Sequence, residues 1–74
     1  MTTTMMGGTV RRYYPAQGFG FIKRDDNADV FVHANDLKRA GIATLNDGDR
    51  VEVDAEMAPK GLRVRSIALV ERAN

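Results

Sequence analysis

The 74-residue chain contains no cysteine and no tryptophan, and only one histidine and one serine. Without cysteine there is no disulfide framework, and a lone histidine, His33, does not make a structural zinc site. The single serine, Ser66, has neither a nucleophile elbow nor a phosphate-cradling loop around it, so no hydrolytic triad and no enzyme is expected. The start, Met1-Thr2-Thr3-Thr4-Met5-Met6, lacks the basic residues and apolar run of a signal peptide. No stretch is long enough to span a bilayer. These absences point to a monomeric cytoplasmic protein with no cofactor, no membrane partner and no small-molecule substrate.

A chain this short forms one small domain, near the size at which a single core is only just sufficient. Its net charge is only +1, but the distribution is uneven. Residues 1–24 hold Arg11, Arg12, Lys23 and Arg24 with no acid, whereas residues 25–36 hold Asp25, Asp26, Asp29 and Asp36 with no lysine or arginine. A basic surface followed by an acidic turn is therefore expected.

What is present centres on two aromatic runs, Gly18-Phe19-Gly20-Phe21-Ile22 and Val30-Phe31-Val32-His33. Strand side chains alternate, so Phe19, Phe21, Phe31 and His33 share one surface while Ile22, Val30 and Val32 share the other. Every phenylalanine in the protein then lies outward on a sheet whose reverse is already apolar, which reads as an aromatic platform. Gly18 and Gly20, lacking side chains, are expected to let another molecule approach the backbone.

Five strands are predicted. Residues 1–7, polar or small and running into Gly7-Gly8, are read as a mobile tail, residues 8–70 as the domain, and residues 71–74 as a short C-terminal tail. Strand one covers Thr9 to Tyr14. Strict alternation from Val10 sends Arg12 inward, which an unpaired charge does not tolerate, so a bulge or a sharp coil is expected near Arg12. Strand two runs from Gly18 to Arg24, and Asp25-Asp26-Asn27-Ala28 turns it into strand three, Asp29 to His33. One or two helical turns follow, with Asn35 or Asp36 as cap, Leu37 buried and Gly41 as terminator. Strand four alternates Val51, Val53, Ala55 and Met57 against Glu52, Asp54 and Glu56. Strand five runs from Leu62 to Val70, with a second bulge or a bend where parity changes between Val64 and Ile67, and with Arg63 and Arg65 facing the acids of strand four. With no helix long enough for a parallel crossover, the fold class is all-β, an antiparallel sheet or small barrel. Asp25 to Asp36 imitates part of a calcium loop but lacks its glycine and its glutamate, so no metal site is assigned.

The two aromatic runs, opened by Gly8-Thr9-Val10 and closed by Gly48-Asp49-Arg50-Val51 and Lys60-Gly61, resemble the bacterial cold-shock domain over about residues 8–70. The resemblance implies a five-stranded antiparallel OB-fold barrel whose ribonucleoprotein-type motifs bind single-stranded RNA and DNA, acting as a chaperone that opens RNA structure without ATP. An RNA-recognition motif shares the Gly-Phe-Gly-Phe core, but it places its shorter motif first and separates the two by a helix and a strand. Here only a turn separates them. Carried over by position, Phe19, Phe21, Phe31 and His33 are the family's base-stacking residues, while Lys23 and Lys60 approach phosphates. Arg11 stands for a lysine, and Tyr13 keeps an aromatic. The departures are Arg12 in place of a tryptophan, Ala34 in place of a phenylalanine, Ile42 in place of a loop aromatic and Gln17 in place of a lysine. Fewer rings imply weaker, more salt-dependent binding, with Arg12 attracting the backbone. The alternative is a barrel of the same shape that docks a protein through Tyr13, Tyr14 and the phenylalanine patch.

Overall fold

The computed structural model describes residues 5–73. Its elements, in chain order, are β1 (Met6–Tyr14), β2 (Phe19–Arg24), β3 (Asp29–His33), α1 (Ala34–Ala40), β4 (Arg50–Ala58) and β5 (Gly61–Glu71). The strands close into a barrel in the order β1-β2-β3-β5-β4. Alternation supplies the core. Val10, Ile22, Val30, Val32, Val51, Val53 and Val64 are at most 1% exposed, and all point inward from strands. Leu37 of α1 and Leu45 of the following loop plug the barrel.

One strand pair departs from the antiparallel expectation, because β3 meets β5 in parallel at Phe31 and Arg63. Geometry requires it: a closed ring with an odd number of strands cannot alternate direction all the way round. Four pairings are antiparallel, and the fifth, where the ring closes, is parallel.

Both expected bulges are present. Val10 pairs with Ile22 and Arg12 with Phe21, which leaves Arg11 as the extra residue of β1. Asp54 pairs with Ser66 and Ala55 with Val64, which leaves Arg65 as the extra residue of β5. Each bulge thus centres on an exposed arginine.

Met6, Gly7 and Glu71, assigned by sequence to the tails, are strand residues. β1 starts at Met6, and Met6 and Gly7 pair with Val53 and Glu52 of β4. Residues 1–4 lie outside the described residues. At the other end, β5 reaches Glu71, and the chain beyond it is tied to Asp49, whose carboxylate is fully buried. That carboxylate accepts from the Ala73 backbone N–H at 2.6 Å, from Arg72 Nη1 at 3.1 Å and from the Asn46 N–H at 2.9 Å. Burying a carboxylate is costly without such partners, and through them Asp49 joins the loop to the residues after β5.

The helix is capped by His33 rather than by Asn35 or Asp36. His33 Nδ1 accepts from the Asn35 N–H at 3.1 Å, and the Asp36 carboxylate accepts from the His33 N–H at 3.0 Å. This reciprocal arrangement satisfies two otherwise orphaned donors at the start of the helix. Leu37 is buried and Gly41 ends the helix at φ 75°, as the sequence suggested.

Candidate nucleic-acid interface

Strand pairing arranges the outer surface of β1, β2 and β3 in rows, because paired residues share a face. The first row is Tyr14, Phe19 and His33. In the second, Arg12 lies beside Phe21, Phe21 beside Phe31, and Phe31 beside Arg63 across the parallel closure. The third is Arg50, Thr9, Lys23 and Asp29. The rings occupy the first two rows and touch one another. Phe19 stacks on Phe31 at 5.9 Å between centroids, and Phe21 meets Phe19 and Phe31 edge-on at 6.1 and 5.8 Å. These spacings fall in the favourable range for aromatic pairs. Phe21 and Phe31 remain 41% and 38% exposed.

The bulge at Arg11 decides which tyrosine joins them. It shifts parity by one, so Arg12 and Tyr14 face outward while Tyr13 turns in against the core. Tyr14 then lies 5.4 Å from Phe19. The platform ring is therefore Tyr14, and Tyr13, named from the sequence, packs below it with its backbone N–H donating to Asp47 Oδ1 at 3.2 Å. Carrying the expected bulge one residue further along β1 reveals this in the sequence itself.

Gly20 also serves the barrel rather than a ligand. It is buried opposite Tyr13, and a β-carbon there would lie 2.4 Å from the Arg12 carbonyl oxygen. The molecule that approaches this glycine is the protein's own first strand. Gly18 has φ 77° in the turn, a conformation that suits glycine.

Beside the rings, Phe31, His33, Pro59, Lys60, Leu62 and Arg63 line an open groove of about 630 Å³. Lys60 is placed there by the hairpin between β4 and β5, and Arg63 by its pairing with Phe31. Arg63 was missed by the sequence reading, because only barrel closure brings β5 alongside β3.

The basic residues divide into committed and available sets. Lys23 Nζ lies 3.3 Å from Asp29, and Arg24 grips Asp26 through two hydrogen bonds of 2.9 and 2.7 Å. Arg50 binds Asp25 at 3.0 and 3.2 Å and donates to Thr9 Oγ1 at 2.9 Å. Two of the acids that follow the basic run, Asp26 and Asp29, are therefore partners of its Arg24 and Lys23, while Asp25 is held by Arg50. The Arg24 hydrogen bond, joined by the Ala28 N–H, lowers the Asp26 carboxyl to about 2, and the Arg50 hydrogen bond lowers that of Asp25. Among the described residues, Arg11, Arg12 and Lys60 have no ion-pair partner. Arg63 turns toward Asp36 at 3.9 Å rather than toward the strand-four acids, although Glu56 is its register partner. Ala34 begins the helix and Ile42 packs against the core, so neither adds a ring to the platform.

The profile described as the 'Cold-shock' DNA-binding domain matches residues 6–69. A cold shock-like protein of Aquifex aeolicus is 42% identical over 64 residues, which cover 85% of this chain and 91% of the relative. The major cold shock protein of Micrococcus luteus is 41% identical over 64 residues, covering 85% and 96%. A cold shock-like protein, CspJ, of Salmonella typhi is 43% identical over 60 residues, covering 80% and 86%. The closed five-stranded barrel, the exposed ring rows and these relatives agree: this chain belongs to the cold-shock domain family of non-enzymatic nucleic-acid-binding OB folds.

Proposed function

We propose that the protein binds single-stranded RNA or DNA with little sequence preference, stacking bases on Phe19, Phe21, Phe31 and His33, with Tyr14 extending the platform. Arg11, Arg12 and Lys60 attract the backbone, and Lys23 contributes less because Asp29 already holds it. The observation that carries the reading is the outward row Arg12, Phe21, Phe31, Arg63, in which two exposed rings are flanked by cations at both ends. Aromatic faces accept any base, and a basic rim is attracted to phosphate of any sequence.

Binding of this kind favours unpaired strands by mass action and opens RNA structure without ATP, which is chaperone activity. Affinity is lower than in a platform with rings at positions 12, 34 and 42. Each base stack is worth roughly 1–3 kcal/mol, against a total of about 8 kcal/mol for micromolar binding. Tyr14 and the planar guanidinium of Arg12 return part of that loss. The protein-docking alternative is weakened by Tyr13, which is turned toward the core.

Fluorescence anisotropy with labelled single strands and matched duplexes, at low and moderate salt, tests the reading. Single strands are expected to bind and duplexes to bind far more weakly. The folded double variant Phe19→Ala, Phe31→Ala should lose roughly 2–6 kcal/mol, or at least about 30-fold in Kd. Absence of single-strand binding even at low salt sinks the proposal.

A further inference from the structure

A second groove, of about 280 Å³, lies between α1 and β5, lined by Asp36, Arg39, Arg65 and Ser66. It adjoins the ring groove through Asp36, whose carboxylate binds Arg39 and lies 3.9 Å from Arg63. Arg63 is therefore shared: its backbone pairs with Phe31 while its guanidinium faces the acid that borders the second groove. Arg65 follows two residues along β5, about 6.6 Å further on by ordinary strand rise. Its place in the bulge leaves it exposed, and among the described residues it forms no ion pair.

One carboxylate does not neutralise this cluster. Asp36 is 4% exposed, whereas the side chains of Arg39 and Arg63 are 65% and 46% exposed. Each guanidinium carries five N–H donors, and an ion pair with one acid occupies only some of them. Glu56 opposite Arg63 and Asp54 opposite Ser66 are the nearest acids by register, and neither forms an ion pair with these arginines. The result is a line of outward-facing arginines that begins at the rings and leads away from them.

We propose that a bound single strand continues past Phe31 and Arg63 into the groove between α1 and β5, where Arg65 and Arg39 hold its backbone phosphates. The proposal rests on the ring platform being the primary site, and it adds a direction and a length to that site. It also locates charge that offsets the missing rings. The extension carries no aromatic side chain, so it contributes affinity and salt dependence without sequence preference.

The test uses the full chain and labelled oligothymidylates spanning about 4 to 16 nucleotides, the range of site sizes for OB folds. Wild-type affinity is expected to rise with length beyond what the rings alone cover. In Arg65→Glu the Kd for long strands should rise about two- to fivefold while the shortest strand that binds is unaffected. The slope of log K against log salt should fall by about 0.7 for the lost phosphate contact. Arg65→Gln gives the same result at smaller amplitude and serves if the charge reversal disturbs folding, and Arg65→Lys should restore the slope. If long and short strands respond equally, or neither responds, the extended path is wrong and the ring platform stands. If the wild type binds no strand of any length, the platform falls and the path with it.

Discussion

The outer face of β2 and β3 and the outer face of β4 are built on the same inner pattern. Ile22, Val30 and Val32 are fully buried on one side of the barrel, as Val51 and Val53 are on the other. Outward, the two faces differ in kind: Phe19, Phe21 and Phe31 on the first, Glu52, Asp54 and Glu56 on the second. The inward residues are interchangeable aliphatics that decide how the sheet closes. The outward residues contribute little to closure, and they decide what the surface attracts. Exposed phenylalanines forgo the gain of full burial, and contact among the rings, about 0.5–1.5 kcal/mol per pair, recovers part of it.

The comparison breaks most sharply at Gly20, which lies in the ring-bearing strand but belongs to the inner pattern. A β-carbon at this position would meet the Arg12 carbonyl oxygen at 2.4 Å and the Tyr13 Cα at 2.8 Å, and backbone atoms there cannot move without opening the β1–β2 pairing. Gly20→Ala should therefore cost about 1–3 kcal/mol or more, as overpacking does. In a domain of this length each kcal/mol lowers Tm by about 4–8 °C, so thermal unfolding should show a fall of roughly 4–24 °C. The outward change Phe21→Ala gives up two ring contacts and so lowers Tm as well, but unlike Gly20→Ala it should weaken single-strand binding in the folded protein. If the two variants exchanged these effects, the division between closing and attracting residues would fail.

Much of the fold was legible in the sequence because alternation is a local signal. The five strands, the short helix with Leu37 and Gly41, and both bulges all follow from residues close together in the chain. What was not legible depends on residues meeting across the barrel. The β3–β5 closure that brings Arg63 to Phe31 and the anchoring of Arg72 and Ala73 on Asp49 leave no trace in local periodicity. Nor does the commitment of Lys23, Arg24 and Arg50 to the turn acids. Tyr14 is an intermediate case: the charge of Arg12 signals a break in alternation, but which tyrosine faces outward depends on the bulge falling at Arg11.

A smaller effect sharpens the comparison within the ring face itself. Arg12 stands at the outer end of the Phe21–Phe31 row, exposed and unpaired among the described residues. Arg12→Trp exchanges a phosphate-attracting charge for a larger stacking surface. The extra stack should add roughly 1–3 kcal/mol at moderate salt, while the salt slope falls by about 0.7. Anisotropy titrations across a salt series separate the two contributions. Tighter binding with an unchanged slope would show that Arg12 makes no phosphate contact.

The smallest expected effect lies in the turn between β2 and β3, where the basic and acidic runs meet. Asp26 accepts two hydrogen bonds from Arg24 and one from the Ala28 N–H at 3.2 Å, which lower its pKa from 3.8 to about 2. A carboxyl depressed in the folded state binds its proton more readily when unfolded. Its stabilisation is therefore fully present above about pH 4 and is lost as pH falls toward 2. Asp25, lowered by Arg50, acts in the same direction. Because Asp26 is exposed, solvent screens the effect and the change should be small. Thermal unfolding of the wild type and of Asp26→Asn between pH 5 and pH 2 isolates it. The variant should begin slightly less stable and lose less as the pH falls, so that the two curves converge near pH 2. Curves that remain parallel would mean that the Arg24–Asp26 pair does not persist in solution.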